Sequence, residues 1–313
     1  MAPDKPRWPR WLRRLLIALA IVVALAAPAY YWFLIEDSPP SSGRYSIDIA
    51  EVRRLASSRP GSKPLAIHVE QVNLFRAPHI IVMAGAPWAK VDLPVFSYQL
   101  VYPDRTAIID TAMDEKLAKD AGADATDSAA YQRVSRAISQ AALILLTHEH
   151  PDHIGGLTVQ PDLARVLGNT RLTPEQVDHP ERMKPAAFPA GALDHYESLH
   201  YDQLFAISPG VVLIKAPGHS PGSQMIYVQK ADGTEVLFLG DVAWQWPNVE
   251  QIRERSRLAT RFFLKEDRTA VFLELAELNR LNKAEPQLHM VPGHDGRVIA
   301  ALTQQQILKA GFN

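Results

Sequence analysis

The chain has 313 residues, 47% of them hydrophobic, and a formal net charge of -1, which permits one large domain or two ordinary ones around a sizeable core. It contains no cysteine, so disulfides, thiol nucleophiles and thiolate metal ligands are excluded. The near-neutral charge hides an asymmetry: the first 35 residues hold Lys5, Arg7, Arg10, Arg13 and Arg14 against Asp4 alone, leaving 28 basic and 33 acidic residues beyond, with no basic stripe to suit nucleic acid.

In chain order, residues 1–14 read as a basic segment left in the cytoplasm. Leu15 to Ile35, "LLIALAIVVALAAPAYYWFLI", follow without a charge, and 21 residues match the roughly 20 that a helix needs to cross a bilayer. Basic residues before the run, Glu36 and Asp37 after it, and Tyr30, Tyr31 and Trp32 near its far end agree with the positive-inside rule and an interfacial aromatic belt. The expectation is a single-pass transmembrane anchor over 15–35, with everything after Asp37 outside the cytoplasm. Secretion after signal cleavage is the competing reading, since Ala24-Leu25-Ala26 and Ala27-Pro28-Ala29 resemble small-residue cleavage sites. Residues 36–44, "EDSPPSSGR", read as a flexible linker, and the folded domain, 45–313, begins near Tyr45.

Strand-like runs follow at 65–72, 79–85, 95–102 and 106–111. A helix is expected over 128–139, where Ala130, Val134 and Ile138 have helical spacing, and a short buried strand over 142–147. Later strands are expected at 210–216, 223–229, 235–241 and 287–291, with helices over 248–260, 267–282 and from Val298. Strand-rich halves interrupted by helices indicate an α/β protein with packed sheets and outer helices.

The strand at 142–147 runs into "THEHPDHIGG", residues 147–156. Loops at strand ends carry sites because a rigid sheet positions them. His148 and His150, two apart, can reach one ion, while Asp152 and His153 on the next turn can face a second; imidazole and carboxylate without sulfur suit zinc or a similar metal. Gly155 and Gly156 would let the backbone pass close beside the ions. Three later stretches each follow an apolar strand and sit in a glycine-marked turn: "APGHSPGS" with His219, "FLGD" with Asp241 and "VPGHD" with His294.

This constellation resembles the metallo-β-lactamase-fold hydrolase superfamily, with HxHxDH present as "HEHPDH" and then histidine, aspartate and histidine in family order. "IIDTAMD" (108–114) is similar to the family's "LIDTG" element, with Ala112 in place of glycine. The resemblance covers about Leu65 to the carboxyl terminus and implies a four-layer αββα sandwich with a two-metal cleft at one edge. By position it implies two divalent ions, zinc by preference. His148, His150 and His219 would hold the first, Asp152, His153 and His294 the second, and Asp241 would bridge both. Asp110 would accept a hydrogen bond from a ligand imidazole, and Asp152 would orient the nucleophile or carry a proton to the leaving group.

Within the superfamily, "PGHSPGS" and "GHD" resemble the lactonase-like branch, which implies a small-molecule lactone or other carboxylic ester or amide as substrate. Those lactonases tend to place a tyrosine three residues after the bridging aspartate, whereas this chain has Trp244, whose indole can donate to the substrate carbonyl but cannot accept. Trp88, Trp244 and Trp246 are expected to line the substrate pocket, with Phe262 and Phe263 adding to its wall. Residues 157–205 resemble a lid-sized insertion whose His179, His195 and His200 are not expected as ligands. Phosphoester or thioester cleavage, and a non-catalytic membrane-tethered binding protein, are the alternatives; no protein partner is legible.

Overall fold

The computed structural model describes residues 8–312. The start of the basic segment, with Lys5 and Arg7, and Asn313 lie outside the described residues. Two sheets face one another. One contains β1 (Ala66–Pro78), β2 (Lys90–Val101), β3 (Thr106–Ile109), β4 (Ala125–Thr126), β5 (Leu143–Leu145) and, from the other end of the chain, β11 (Lys309–Ala310). Its order is β11-β1-β2-β3-β5, with β4 paired to β1. The second contains β6 (Leu204–Ser208), β7 (Val211–Lys215), β8 (Gln224–Gln229), β9 (Glu235–Gly240) and β10 (Leu288–Pro292), in the order β10-β9-β8-β7-β6.

Strand periodicity sorts the side chains into layers. Val211 and Leu213 of β7, with Val236 and Phe238 of β9, meet Phe96, Tyr98 and Leu100 of β2 between the sheets. Their alternates, Val212, Ile214, Leu237 and Leu239, face outward onto the helices Ile49–Ala56 and Arg268–Ala284. Across the molecule, Val134 and Ile138 of the helix Ser128–Gln140 cover the outer face of the first sheet with Ile144 and Ile154. Strands buried on both faces explain the uninterrupted apolar runs, because no face needs to be polar. The result is the four-layer αββα sandwich.

Three local expectations are corrected. Residues 79–85 do not form a strand: the β1–β2 hairpin is paired from Ala66↔Val101 to Pro78↔Lys90, and the chain then coils into a helical turn, His79–Val82. The helix expected over 248–260 breaks into Trp246–Gln251 and Arg257–Ala259, with Ile252 between them in the left-handed region at φ 52°. Residues 36–37 do not hang free, because Glu36 is buried and accepts from Arg257 Nε at 2.6 Å, while Asp37 lies 3.4 Å from Arg253.

The amino-terminal helix runs over Arg10–Tyr30 and continues as a π-helical turn, Tyr31–Ile35. By length and composition it could cross a membrane, and its apolar stretch is not buried in the protein.

The glycines after the histidine motif serve helix packing rather than the ions. In the helix Pro151–Thr158, a Cβ on Gly156 would lie 2.2 Å from the backbone oxygen of Thr111, and one on Gly155 would lie 3.0 Å from Met113. Gly156→Ala is therefore expected to cost about 2–3 kcal/mol. Gly168→Ala, where a Cβ meets nothing within 4 Å, should gain up to about 1 kcal/mol from helix propensity. Urea unfolding of both variants checks this; equal stabilities would contradict the packing argument.

Candidate metal centre

Strand direction collects the histidine and aspartate loops at one edge. β9 and β10 are parallel, and β7 runs the same way because two antiparallel pairings separate it from β9. Their carboxyl ends therefore deliver His219, Asp241 and His294 to one side, where β5 brings the 147–153 loop from the other sheet.

Two clusters of potential ligands form there: His148, His150, His219 and Asp241, and Asp152, His153 and His294. In the first, His150 Nδ1 lies 3.1 Å from His148 Nε2 and 2.9 Å from His219 Nε2. In the second, Asp152 Oδ2 lies 3.5 Å from both His153 Nε2 and His294 Nε2. Asp241 reaches both. Its Oδ2 is 3.4 Å from His219 Nε2, and its Oδ1 is 3.3 and 3.2 Å from His153 and His294 Nε2. His179, His195 and His200 join neither cluster.

The donors suit divalent ions. His153 Nε2 and Asp241 Oδ1 are buried without a hydrogen-bond partner, a costly state that a cation shared by convergent imidazole and carboxylate atoms relieves. A Cβ on Gly293 would sit 2.3 Å from Asp241 Oδ1, so glycine keeps open the space for that carboxylate. Two such clusters sharing one carboxylate are the arrangement of a binuclear metal-dependent hydrolase.

Burial, and then neighbouring imidazoles, hold His148 and His150 well below the ordinary histidine range, leaving them neutral and able to donate lone pairs. Burial would also lower His153, but Asp152, Asp110 and Asp241 outweigh it and hold it well above that range. A raised folded-state pKa means that the proton on His153 stabilises the metal-free fold below the unfolded value of about 6.5. That contribution is lost as pH climbs through the higher folded value. Ions compete for the same nitrogen. The melting temperature of metal-free protein should therefore fall as pH rises above about 6.5, while that of metal-loaded protein should hold. A gap between the two that narrows with rising pH would contradict this assignment.

Surrounding groups fix the ligands. Asp110 Oδ2 lies 2.8 Å from His153 Nδ1, and its carboxylate also accepts from the backbone N–H and hydroxyl of Thr147 at 2.7 and 2.8 Å. Asp110 and Ala112 both adopt left-handed backbone, at φ 58° and 52°; at Ala112 this accounts for the glycine of the related motif. Glu149 turns away from the cluster, accepts from Ser220 Oγ at 2.8 Å, and ties the two histidine loops together.

Two residues escaped the sequence reading. The carboxylate of Glu266 lies 2.5 Å from His219 Nδ1 and accepts from Arg255 Nε at 2.7 Å. Both side chains are buried. Burial would raise the Glu266 carboxyl, yet Arg255 and His219 hold it below its ordinary value. Glu266 is 47 positions from its histidine, and "KED" (265–267) looks like a helix start, so no local signal marks it.

The aromatic residues divide. A cleft of about 690 Å³ opens over the ligands, with Trp244 and Phe263 in its wall beside Phe75 and Leu93. The indole N–H of Trp244 is directed to Asp241 Oδ2 at 2.6 Å, with Arg255 Cζ 5.0 Å from the ring centre. Trp88 and Trp246 lie outside that wall. Trp88 is exposed and donates to the Tyr30 hydroxyl at 3.0 Å. Trp246 packs against the helix-covered core and its backbone N–H donates to Asp295. Phe262 packs against Phe33, ring centres 5.8 Å apart and planes tilted by 50°.

Comparison with known proteins agrees with this geometry. Residues 91–294 match the model of the metallo-beta-lactamase superfamily. The N-acyl homoserine lactonase of Bacillus thuringiensis and lactonase AiiA of its subspecies kurstaki are each 25% identical over 183 residues, covering 53% of this chain and 71% of theirs. Among solved structures, a quorum-quenching N-acyl homoserine lactone lactonase superimposes with a TM-score of 0.57 at 19% identity, covering 76% of this chain and 95% of its own. The lactonase AidC superimposes at 0.52 and 16% identity, covering 74% and 87%. With the family model spanning most of the chain and the sandwich carrying its ligand loops at one edge, this protein belongs to the metallo-beta-lactamase superfamily.

Proposed function

We propose that this protein is a membrane-anchored, zinc-dependent hydrolase that opens a lactone or another carboxylic ester or amide. The observation that supports the reading is Asp241, whose carboxylate lies within 3.4 Å of imidazole nitrogens of both ligand clusters. The relatives named N-acyl homoserine lactonases favour a lactone. When bound, two such ions supply water activation near neutral pH and polarisation of the scissile carbonyl.

The protein's own groups divide the remaining work. His148, His150 and His219 would hold one ion, Asp152, His153 and His294 the other, and Asp241 would serve both. Asp152, at the cleft wall, would orient the nucleophile or carry a proton to the leaving group. Phe75, Leu93 and Phe263 bind an apolar substituent of the substrate and exclude water. Trp244 acts on substrate through its ring, and through its N–H it keeps Asp241 turned to both clusters, where a tyrosine hydroxyl would have donated to substrate. Residues 45–313 form the hydrolase domain, placed outside the cytoplasm by the helix before it. A reporter active only outside the cytoplasm, fused after Asn313, tests that placement.

The activity test uses metal-loaded full-length protein in detergent. It is offered acyl-homoserine lactones, aryl esters, β-lactams, thioesters and phosphodiesters. Lactones or carboxylic esters should give the highest kcat/KM. Fastest turnover of phosphodiesters or thioesters would overturn the ester reading, and two bound ions without turnover of any class would favour a binding role.

A further inference from the structure

The end of the amino-terminal helix does more than precede the domain: two separate loops of the domain grip it. Trp88, in the β1–β2 connection, donates to the hydroxyl of Tyr30, and Phe262, in the turn Thr260–Leu264, packs at a tilt against Phe33. Arg257 lies 4.2 Å over the ring of Trp32, and Gly85 N–H donates to the carbonyl of Leu34. At 1.5 Å per residue, Phe33 and Tyr30 lie about 3 and 7.5 Å before Ile35, the last residue of the apolar run. If the run spans the hydrocarbon core, both contacts fall at the depth of an interfacial aromatic belt.

That level carries an exposed apolar surface. Trp88 is 55% exposed, Phe262 56% and Phe263 74%. Arg261 and Lys265 flank the two phenylalanines, and both line a groove beside Trp32. Aromatic rings with basic residues at their margin are the composition of a surface that sits in lipid headgroups. Phe263 also lines the metal cleft with His150, Asp152 and Trp244.

We propose that Trp88, Phe262 and Phe263 enter the bilayer interface beside the anchor, so that the metal cleft opens onto the membrane surface, where the apolar tail of an amphiphilic substrate already lies. The partner is the lipid bilayer itself. The inference rests on the reading that Arg10–Ile35 spans a membrane, and it goes beyond it, since an anchored domain can equally hold its active site in water.

Because the chain has no native cysteine, single spin labels report depth without background. Phe263→Cys, Trp88→Cys, Val22→Cys in mid-helix and Asp232→Cys, in the β8–β9 turn at the sheet end opposite the ligands, are each labelled with a nitroxide. The full chain is then placed in phosphatidylcholine–phosphatidylglycerol vesicles, and label accessibility to oxygen is compared with that to a water-soluble nickel complex. The labels at 263 and 88 should show an oxygen-to-nickel ratio at least about threefold above that at 232, as expected for side chains reaching ~5–10 Å into the interface. Ratios at 263 and 88 equal to that at 232, with 22 in lipid, would overturn the proposal while leaving the anchor intact. A water-exposed label at 22 would overturn both.

Discussion

Asp241→Asn will reduce the protein from two bound ions to at most one and lower hydrolysis by roughly 10³-fold, a loss of about 4 kcal/mol in transition-state stabilisation. The amide keeps the shape of the side chain but removes the charge that both clusters share. With the Asp241 carboxylate within 3.4 Å of ligand nitrogens from both clusters, no other carboxylate among the described residues joins the two; Asp152 approaches His153 and His294, both of the second cluster. His150→Ala should be less severe, removing a ligand of the first ion while leaving the Asp152, His153 and His294 set complete. Metal analysis of dialysed protein, alongside ester or lactone turnover, measures both. Two ions retained in Asp241→Asn would mean that this carboxylate does not bridge.

Glu266→Ala is expected to destabilise the protein by about 3–5 kcal/mol, since it leaves Arg255 buried with its charge partner removed. For a domain of this size that is roughly a 6–20 °C fall in melting temperature. The same substitution frees the Nδ1 side of His219, and loss of such a partner costs about 10–100-fold in metal affinity. The two effects separate. Glu266→Gln keeps an acceptor near Arg255 and should retain more stability. Replacing the pair together, Glu266→Leu with Arg255→Met, removes the unpaired charge and should recover most of the stability without recovering the metal affinity. Calorimetry and competition with a zinc chelator read the two quantities independently. A double variant no more stable than Glu266→Ala would show that packing, not charge, holds this site together.

The residues of the two candidate ligand clusters were legible because the information is local. HxHxDH places four donors on one loop after an apolar strand, and His219, Asp241 and His294 each sit where a strand ends in a glycine turn. Side-chain alternation in β7 and β9, with apolar residues on both faces, likewise announces a sheet covered on both sides. Chain length and apolarity alone marked the helix before the domain as one able to span a bilayer.

Other features were decided by contacts between distant segments. Residues 79–85 are apolar enough for a strand, but their backbone had no free ladder, because β1 and β2 pair with each other up to the turn that contains them. Residues 36–44 have the composition of a flexible linker, yet Glu36 and Asp37 meet Arg257 and Arg253, which the fold brings to the helix end. Trp88 was assigned to the cleft by its loop, whereas its indole found Tyr30, 58 residues earlier. Trp244 lines the cleft, but only the fold shows its N–H directed to Asp241. The buried Glu266–Arg255 pair behind His219 left no mark in the sequence. Motif spacing reports which atoms a single loop can bring together, whereas the partners of a buried charge are chosen by tertiary packing, since a charge removed from water must be compensated by whatever side chain the fold places beside it.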